Sequence, residues 1–163
     1  MRIFLFLAFG TVLLLQAGCG GSDRGRPADL PQLHPVHIEI IQGGNPLEGA
    51  TVTLVSKVPA TYGTASGTTN ASGVASLRTY GFEGAPAGDY AVLVTKEVPA
   101  NQREGTTEEG LTYLIGGQLY RYVDAQFSNV NSTPISITVT ERGARETLDV
   151  GDPVRVFMRN LPQ

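Results

Sequence analysis

The chain has 163 residues, with 12 Lys and Arg against 15 Asp and Glu, two His, one Cys and no Trp. A slightly acidic balance without any basic block lacks the electrostatic footprint of a nucleic-acid-binding protein, and a single cysteine excludes an internal disulfide framework. Scattered acidic residues exclude a polyanionic tail.

Met1 and Arg2 form a short positive start, and Ile3 to Leu15 is apolar apart from Gly10 and Thr11. A membrane-crossing helix needs ~20 apolar residues. This run is shorter, and the small residues Ala17, Gly18, Cys19, Gly20 and Gly21 follow it at once. Charge, apolar stretch and small-residue site in that order make a secretory signal peptide over residues 1–18. The segment Leu15-Gln16-Ala17-Gly18-Cys19 resembles the bacterial lipobox, with Gln16 where Leu is usual. That resemblance implies a lipid on the Cys19 thiol, which becomes the new N-terminus. Gly20, rather than Asp, resembles lipoproteins passed on to an outer membrane. The expected address is therefore the bacterial cell envelope, on the outer membrane or its periplasmic face, with the membrane as partner through Cys19. Several acyl chains hold such an anchor stably at ~0.8 kcal/mol per buried methylene.

Residues 19–35 are rich in Gly, Pro, Asp and Arg, and read as a tether kept extended by Pro27, Pro31 and Pro35. Residues 36–163 make one domain of ordinary size. Val36 to Ile40 alternates apolar and polar, as a half-buried strand does. Gly43-Gly44-Asn45-Pro46 is a turn cluster, and Ala50 to Val55 resumes the alternation with β-branched residues. Pro59 to Gly67 reads as a polar loop. Asn70 to Gly73 is a turn before a strand at Val74 to Leu77. Tyr90 to Val94, Ile135 to Val139, Glu146 to Val150 and Val154 to Met158 complete about seven strands, and many short strands between Gly/Pro turns indicate a sandwich or barrel. Residues 119–127 have a poor helical pattern and form at most one short helix. Strand alternation places Val52, Leu54, Leu77, Tyr90, Val92, Val94, Ile135, Ile137 and Val139 in the core.

One stretch breaks the rhythm. Residues 97–124 form a long insertion that begins polar and turns apolar and aromatic. Loops beyond ~12–15 residues are uncommon in compact domains and are often functional. Its Tyr113, Tyr120 and Tyr122 are the candidate recognition residues, because aromatics are overused at binding surfaces. The competing role is to pin the insertion over a sandwich face.

Three motifs in order carry a family resemblance. Asn45-Pro46-Leu47-Glu48-Gly49-Ala50-Thr51-Val52, then Thr68-Thr69-Asn70-Ala71-Ser72-Gly73-Val74-Ala75, then Pro86-Ala87-Gly88-Asp89-Tyr90-Ala91-Val92 resemble the opening, central turn and core strand of carboxypeptidase regulatory-like, transthyretin-like domains. Gly49 and Gly73 stand where tight turns need positive φ. Tyr90 is placed to fill the core with its hydroxyl at the rim. The second half, through Tyr122 to Phe127, Ser132 to Val139 and Arg145 to Val150, resembles small bacterial lipoproteins carrying this domain. The resemblance implies an all-β, Greek-key, prealbumin-like sandwich in the envelope.

No catalytic constellation stands out. His34 and His37 lie at the tether–strand junction, three residues apart and hence on opposite faces of any strand, and a metal site needs three or four converging ligands. Gly63-Thr64-Ala65-Ser66-Gly67 is not a nucleophile elbow, since no helix follows it. Glu104, Glu108 and Glu109 fall short of the six to eight oxygens calcium takes. Transthyretin-fold hydrolases end in a Tyr-Arg-Gly-Ser tetrapeptide, whereas this chain ends Asn160-Leu161-Pro162-Gln163. The expectation is a non-enzymatic binding or structural lipoprotein without cofactor or metal, with a protein or glycan of the envelope as partner. The alternative is an accessory domain that presents or stabilises a separate envelope enzyme, and a hydrolase comes after both.

Overall fold

A computed structural model of the chain describes residues 25–100, 103–106, 108, 112–115 and 118–158. The predicted signal peptide and the lipidation residue Cys19 lie outside them. In chain order the strands are β1 (Val36–Gln42), β2 (Asn45–Pro46), β3 (Thr51–Ser56), β4 (Thr64–Thr68), β5 (Val74–Ser76), β6 (Arg78–Thr79), β7 (Phe82–Glu83), β8 (Gly88–Thr95), β9 (Glu97–Ala100), β10 (Arg103–Thr106), β11 (Thr112–Ile115), β12 (Gln118–Arg121), β13 (Ser136–Val139), β14 (Ala144–Asp149) and β15 (Val156–Phe157).

Two sheets make an all-β sandwich. The larger runs β13-β8-β3-β4-β6-β7, and the smaller joins β14, β2 and β5 to β1. Alternation decides what lies between them. Val36, Ile38 and Ile40 of β1 are buried while His37, Glu39 and Ile41 are not. Val52 and Leu54 of β3 and Val92 and Val94 of β8 meet them from the other sheet in one apolar cluster. Eight of the nine predicted core residues are buried; Ile135 is partly buried against the same cluster. β14 runs parallel to β1, with Val36 opposite Ala144 and Ile40 opposite Leu148.

The turn chemistry follows the sequence motifs. Gly49 and Gly73 have φ of +69° and +75°. A Cβ on Gly73 would meet the Ile40 carbonyl oxygen at 2.6 Å, so glycine is required there twice over. Asn70 serves its turn through the side chain, whose Oδ1 accepts from the backbone N–H groups of Ser72 and Val74. Tyr90 is buried, and its hydroxyl donates to the Pro86 carbonyl at 2.9 Å.

Five expectations change. Thr64–Thr68, whose residues 64–67 were read as part of a polar loop, is strand β4, because its Ala65 is buried opposite Leu54. Residues 25–35 do not hang free as a tether. Arg26 lies over the Phe82 ring, Asp29 accepts from the Tyr62 hydroxyl, Leu30 is buried, and His34 exchanges backbone hydrogen bonds with Ala85. The short helix within 119–127 is strand β12 followed by a 3-10 turn at Ala125–Ser128, where the Asp124 side chain accepts from the Gln126 N–H.

The fourth change is the largest. The insertion at 97–124 is a β-hairpin rather than a loop. Ala100 pairs with Gln118, and three residues further along β10 begins with Arg103 opposite Ile115, three residues back. One register therefore governs both pairs of strands, β9 with β12 and β10 with β11. Lys96 is the hinge, since the preceding residue Thr95 ends β8 in the large sheet. β15, expected to belong to the sandwich, pairs instead with β12 in the root of this hairpin.

Candidate functional site

The root of the hairpin is a three-stranded sheet, β15-β12-β9. Side chains alternate across a strand, so Tyr120 and Tyr122, two residues apart, share a face. Val98 and Phe157 lie opposite Tyr120 on the two flanking strands. Tyr122 donates its backbone N–H to the Lys96 carbonyl, which places Lys96 beside it on one flank. One step along the β15 register from Val156, Arg155 falls beside it on the other. The face thus carries two rows: Lys96, Tyr122 and Arg155, then Val98, Tyr120 and Phe157.

Both cations lie on aromatic faces. The Arg155 guanidinium is 4.6 Å from the Tyr120 ring centroid, and the Lys96 ammonium is 5.2 Å from that of Tyr122. Ring quadrupoles attract cations at such distances. Phe157 packs against Tyr120 with centroids 5.7 Å apart and ring planes tilted by 59°. Lys96 spends one N–H on the Glu48 carbonyl at 2.6 Å, leaving two for other acceptors. A hollow of about 250 Å³ opens among Val98, Pro99, Tyr120, Tyr122 and Arg155.

The root is fastened to the sandwich through the Tyr122 backbone, and the Tyr122 ring is partly buried against the core cluster. The Tyr122 carbonyl accepts from the Gln42 Nε2 at the end of β1 and from the Val154 N–H. Val123 and Phe127, just beyond, are buried in the core. The apolar side chains of the root remain wet: Leu119 is 42% exposed, and Val156 and Phe157 are each 44% exposed.

Of the three candidate tyrosines, the structure brings Tyr120 and Tyr122 onto one face. Tyr113 stands on β11 opposite Gly105, seven residues before Tyr120 in the chain, with its side chain outside the described set. Lys96, Arg155 and Phe157 were missed. The local signal for the tyrosines is their spacing of two; Arg155 and Phe157 carry none, because only strand pairing brings residue 155 to residue 122.

Other candidates are satisfied locally. A cleft of about 450 Å³ lies where residues 29–31 meet the β3–β4 connection. Its two carboxylates are engaged, Asp29 by the Tyr62 hydroxyl and Asp89 by the Thr138 hydroxyl. His34 is buried in its bridge to Ala85, and the His37 Nδ1 pairs with the Ser76 hydroxyl at 3.1 Å on the outer face of the small sheet. Among the described residues no three His, Cys, Asp or Glu side chains converge on a metal-sized site. Ser66 is an exposed β4 residue opposite Thr53. Glu108 is exposed, Glu104 belongs to β10, and Glu109 lies outside the described residues.

No family model matches the chain, and no curated protein matches it significantly. Among solved structures, the major pilin subunit of Bacillus cereus is similar at a TM-score of 0.39 and 18% identity. The match covers 73% of this chain, which spans 30% of the length of that one.

Proposed function

We propose that this chain is a non-enzymatic cell-envelope lipoprotein, anchored through Cys19, whose sandwich presents the hairpin of residues 97–121 as a binding or structural element. The observation that carries the reading is the hairpin root. A β-arm that leaves a central strand, keeps Phe157 half-exposed beside two cations and keeps Leu119 and Val156 exposed on its other face is unneeded for closing the core. Elements presented from a rigid scaffold are where recognition concentrates. The motif residues Gly49, Gly73 and Tyr90 occupy the conformations that a carboxypeptidase regulatory-like domain asks of them, which supports that resemblance. The same arm suits an accessory role, in which it holds a separate envelope enzyme.

The test replaces Tyr120 and Tyr122 with Ser, singly and together, in the mature chain. Thermal melting and capture of solubilised envelope components by the immobilised protein are both measured. Capture is expected to fall, while the midpoint moves by only a few degrees for Tyr120→Ser and by more for Tyr122→Ser, whose ring packs on the core. A steep drop in melting, with no capture by the parent chain either, would mean that the tyrosines only stabilise the fold.

A further inference from the structure

The two rows of the hairpin root differ in chemistry, and the difference selects a partner. Sugars stack on open aromatic faces, but here Arg155 covers a face of Tyr120 and Lys96 one of Tyr122. The rings act as posts that hold the cations in place rather than as platforms. Among the described residues no carboxylate pairs with either cation, and a cation fixed on a ring keeps its capacity to pair with an incoming anion. Beside this row lie Val98 and the half-wet Phe157, with a hollow sized for a single large side chain. A ligand that is only anionic leaves that apolar row uncovered.

We infer that the root of the hairpin binds an acidic peptide segment of another protein, one that sets carboxylates against Lys96 and Arg155 and a neighbouring large apolar side chain into the hollow between Val98, Pro99 and Tyr120. The inference deepens the proposed binding role and rests on it. Charge complementarity decides the occupant, since acidic motifs are read by clustered cations. Pairing through the edge of β9, unpaired among the described residues, is disfavoured. Hydrogen bonds alternate along an antiparallel pair, so the bond from Tyr122 to Lys96 turns the backbone groups of Glu97 and Pro99 outward. Pro99 has no N–H to offer there, and a proline at an edge blocks strand addition. Binding is therefore through side chains on the face.

The experiment uses the full mature chain and a fluorescein-labelled eight-residue peptide of alternating Glu and Phe, read by anisotropy. The controls are a Lys/Phe peptide of the same length and labelled polygalacturonate. The Glu/Phe peptide is expected to bind, with affinity falling several-fold between 50 and 300 mM salt, as partly exposed ion pairs require. Lys96→Gln with Arg155→Gln should weaken it at least tenfold. Arg155→Lys should retain most of the binding, and Phe157→Ala should weaken it without changing the salt dependence. Equal binding of the Glu/Phe and Lys/Phe peptides by the parent chain overturns the inference, and needs no variant that might misfold. So does unchanged affinity in the double variant, and so does polygalacturonate binding as tightly through the same two cations. If the double variant still captures envelope components while the Tyr120 and Tyr122 changes abolish capture, the hairpin is a recognition element and only the acidic-peptide assignment fails.

Discussion

Arg155, eight residues from the end of the chain, lies over the ring of Tyr120 at 4.6 Å, and so closes the root of a hairpin that begins at residue 97. The contact joins β12 to the segment just before β15. A cation on a ring contributes ~0.5–1 kcal/mol where it is exposed. Arg155→Gln should therefore hardly move the global midpoint. It should speed amide exchange at Tyr120 and Arg121, because the root opens locally before the sandwich does. Unchanged exchange there, with a lowered global midpoint, would place the contact in the cooperative core instead.

Gly49 and Gly73 separate two costs that a positive φ usually confounds. Both need the left-handed region, but a Cβ on Gly49 meets nothing within 4 Å, while one on Gly73 meets the Ile40 carbonyl oxygen at 2.6 Å. Gly49→Ala should cost ~1–2 kcal/mol, the left-handed penalty alone. Gly73→Ala should cost more, because β1 must shift as well. Urea denaturation of the two variants measures the difference, and equal losses would show that the Gly73 turn relaxes freely.

The core register is open to direct measurement. Val92 is fully buried and Ile137 nearly so, on neighbouring strands of the large sheet. Truncating either to Ala should destabilise by ~1–3 kcal/mol. A one-residue slip would expose the whole set and make both changes nearly neutral, so chemical denaturation midpoints decide.

Burial raises the Tyr90 hydroxyl above the ordinary tyrosine value of 10.0. Above that pH the unfolded chain gives up its proton while the folded chain keeps it, so the unfolded state binds fewer protons. Stability is then complete below about pH 10 and declines as pH rises through the folded value. Tyr90→Phe loses the hydrogen bond to Pro86, worth ~1 kcal/mol at neutral pH, and should also flatten the alkaline decline. Parallel pH–stability curves for parent and variant between pH 9 and 11 would show that Tyr90 is not responsible.

The anchor is tested in cells. Cys19→Ala should release the protein from membranes or leave the precursor uncut, and a labelled fatty acid should mark the parent but not the variant. Label on both chains, or on neither, would remove the lipid from the proposal.

How far the sequence reaches is clear from particular residues. Val52, Leu54, Val92 and Val94 announce their burial by alternation, since a strand's period of two is a local property. Gly49 and Gly73 announce turns because φ is local too. Those signals, with the turn spacing, determined the all-β sandwich and most of its core. The sequence also reported Tyr120 and Tyr122 as a pair two residues apart, yet it disguised the hairpin as a loop: Pro99 and Gly105 sit inside its strands, and the run Tyr113-Leu114-Ile115 does not alternate apolar with polar. Leu30 and His34 were hidden likewise in a Pro-rich stretch whose docking depends on a distant partner, Ala85. The parallel pairing of β14 with β1, the removal of β15 from the sandwich, and the meeting of Lys96, Tyr122 and Arg155 join residues 26 to 108 positions apart. Such contacts are settled by which strand edges remain unpaired once the core has closed, and only the tertiary structure decided them.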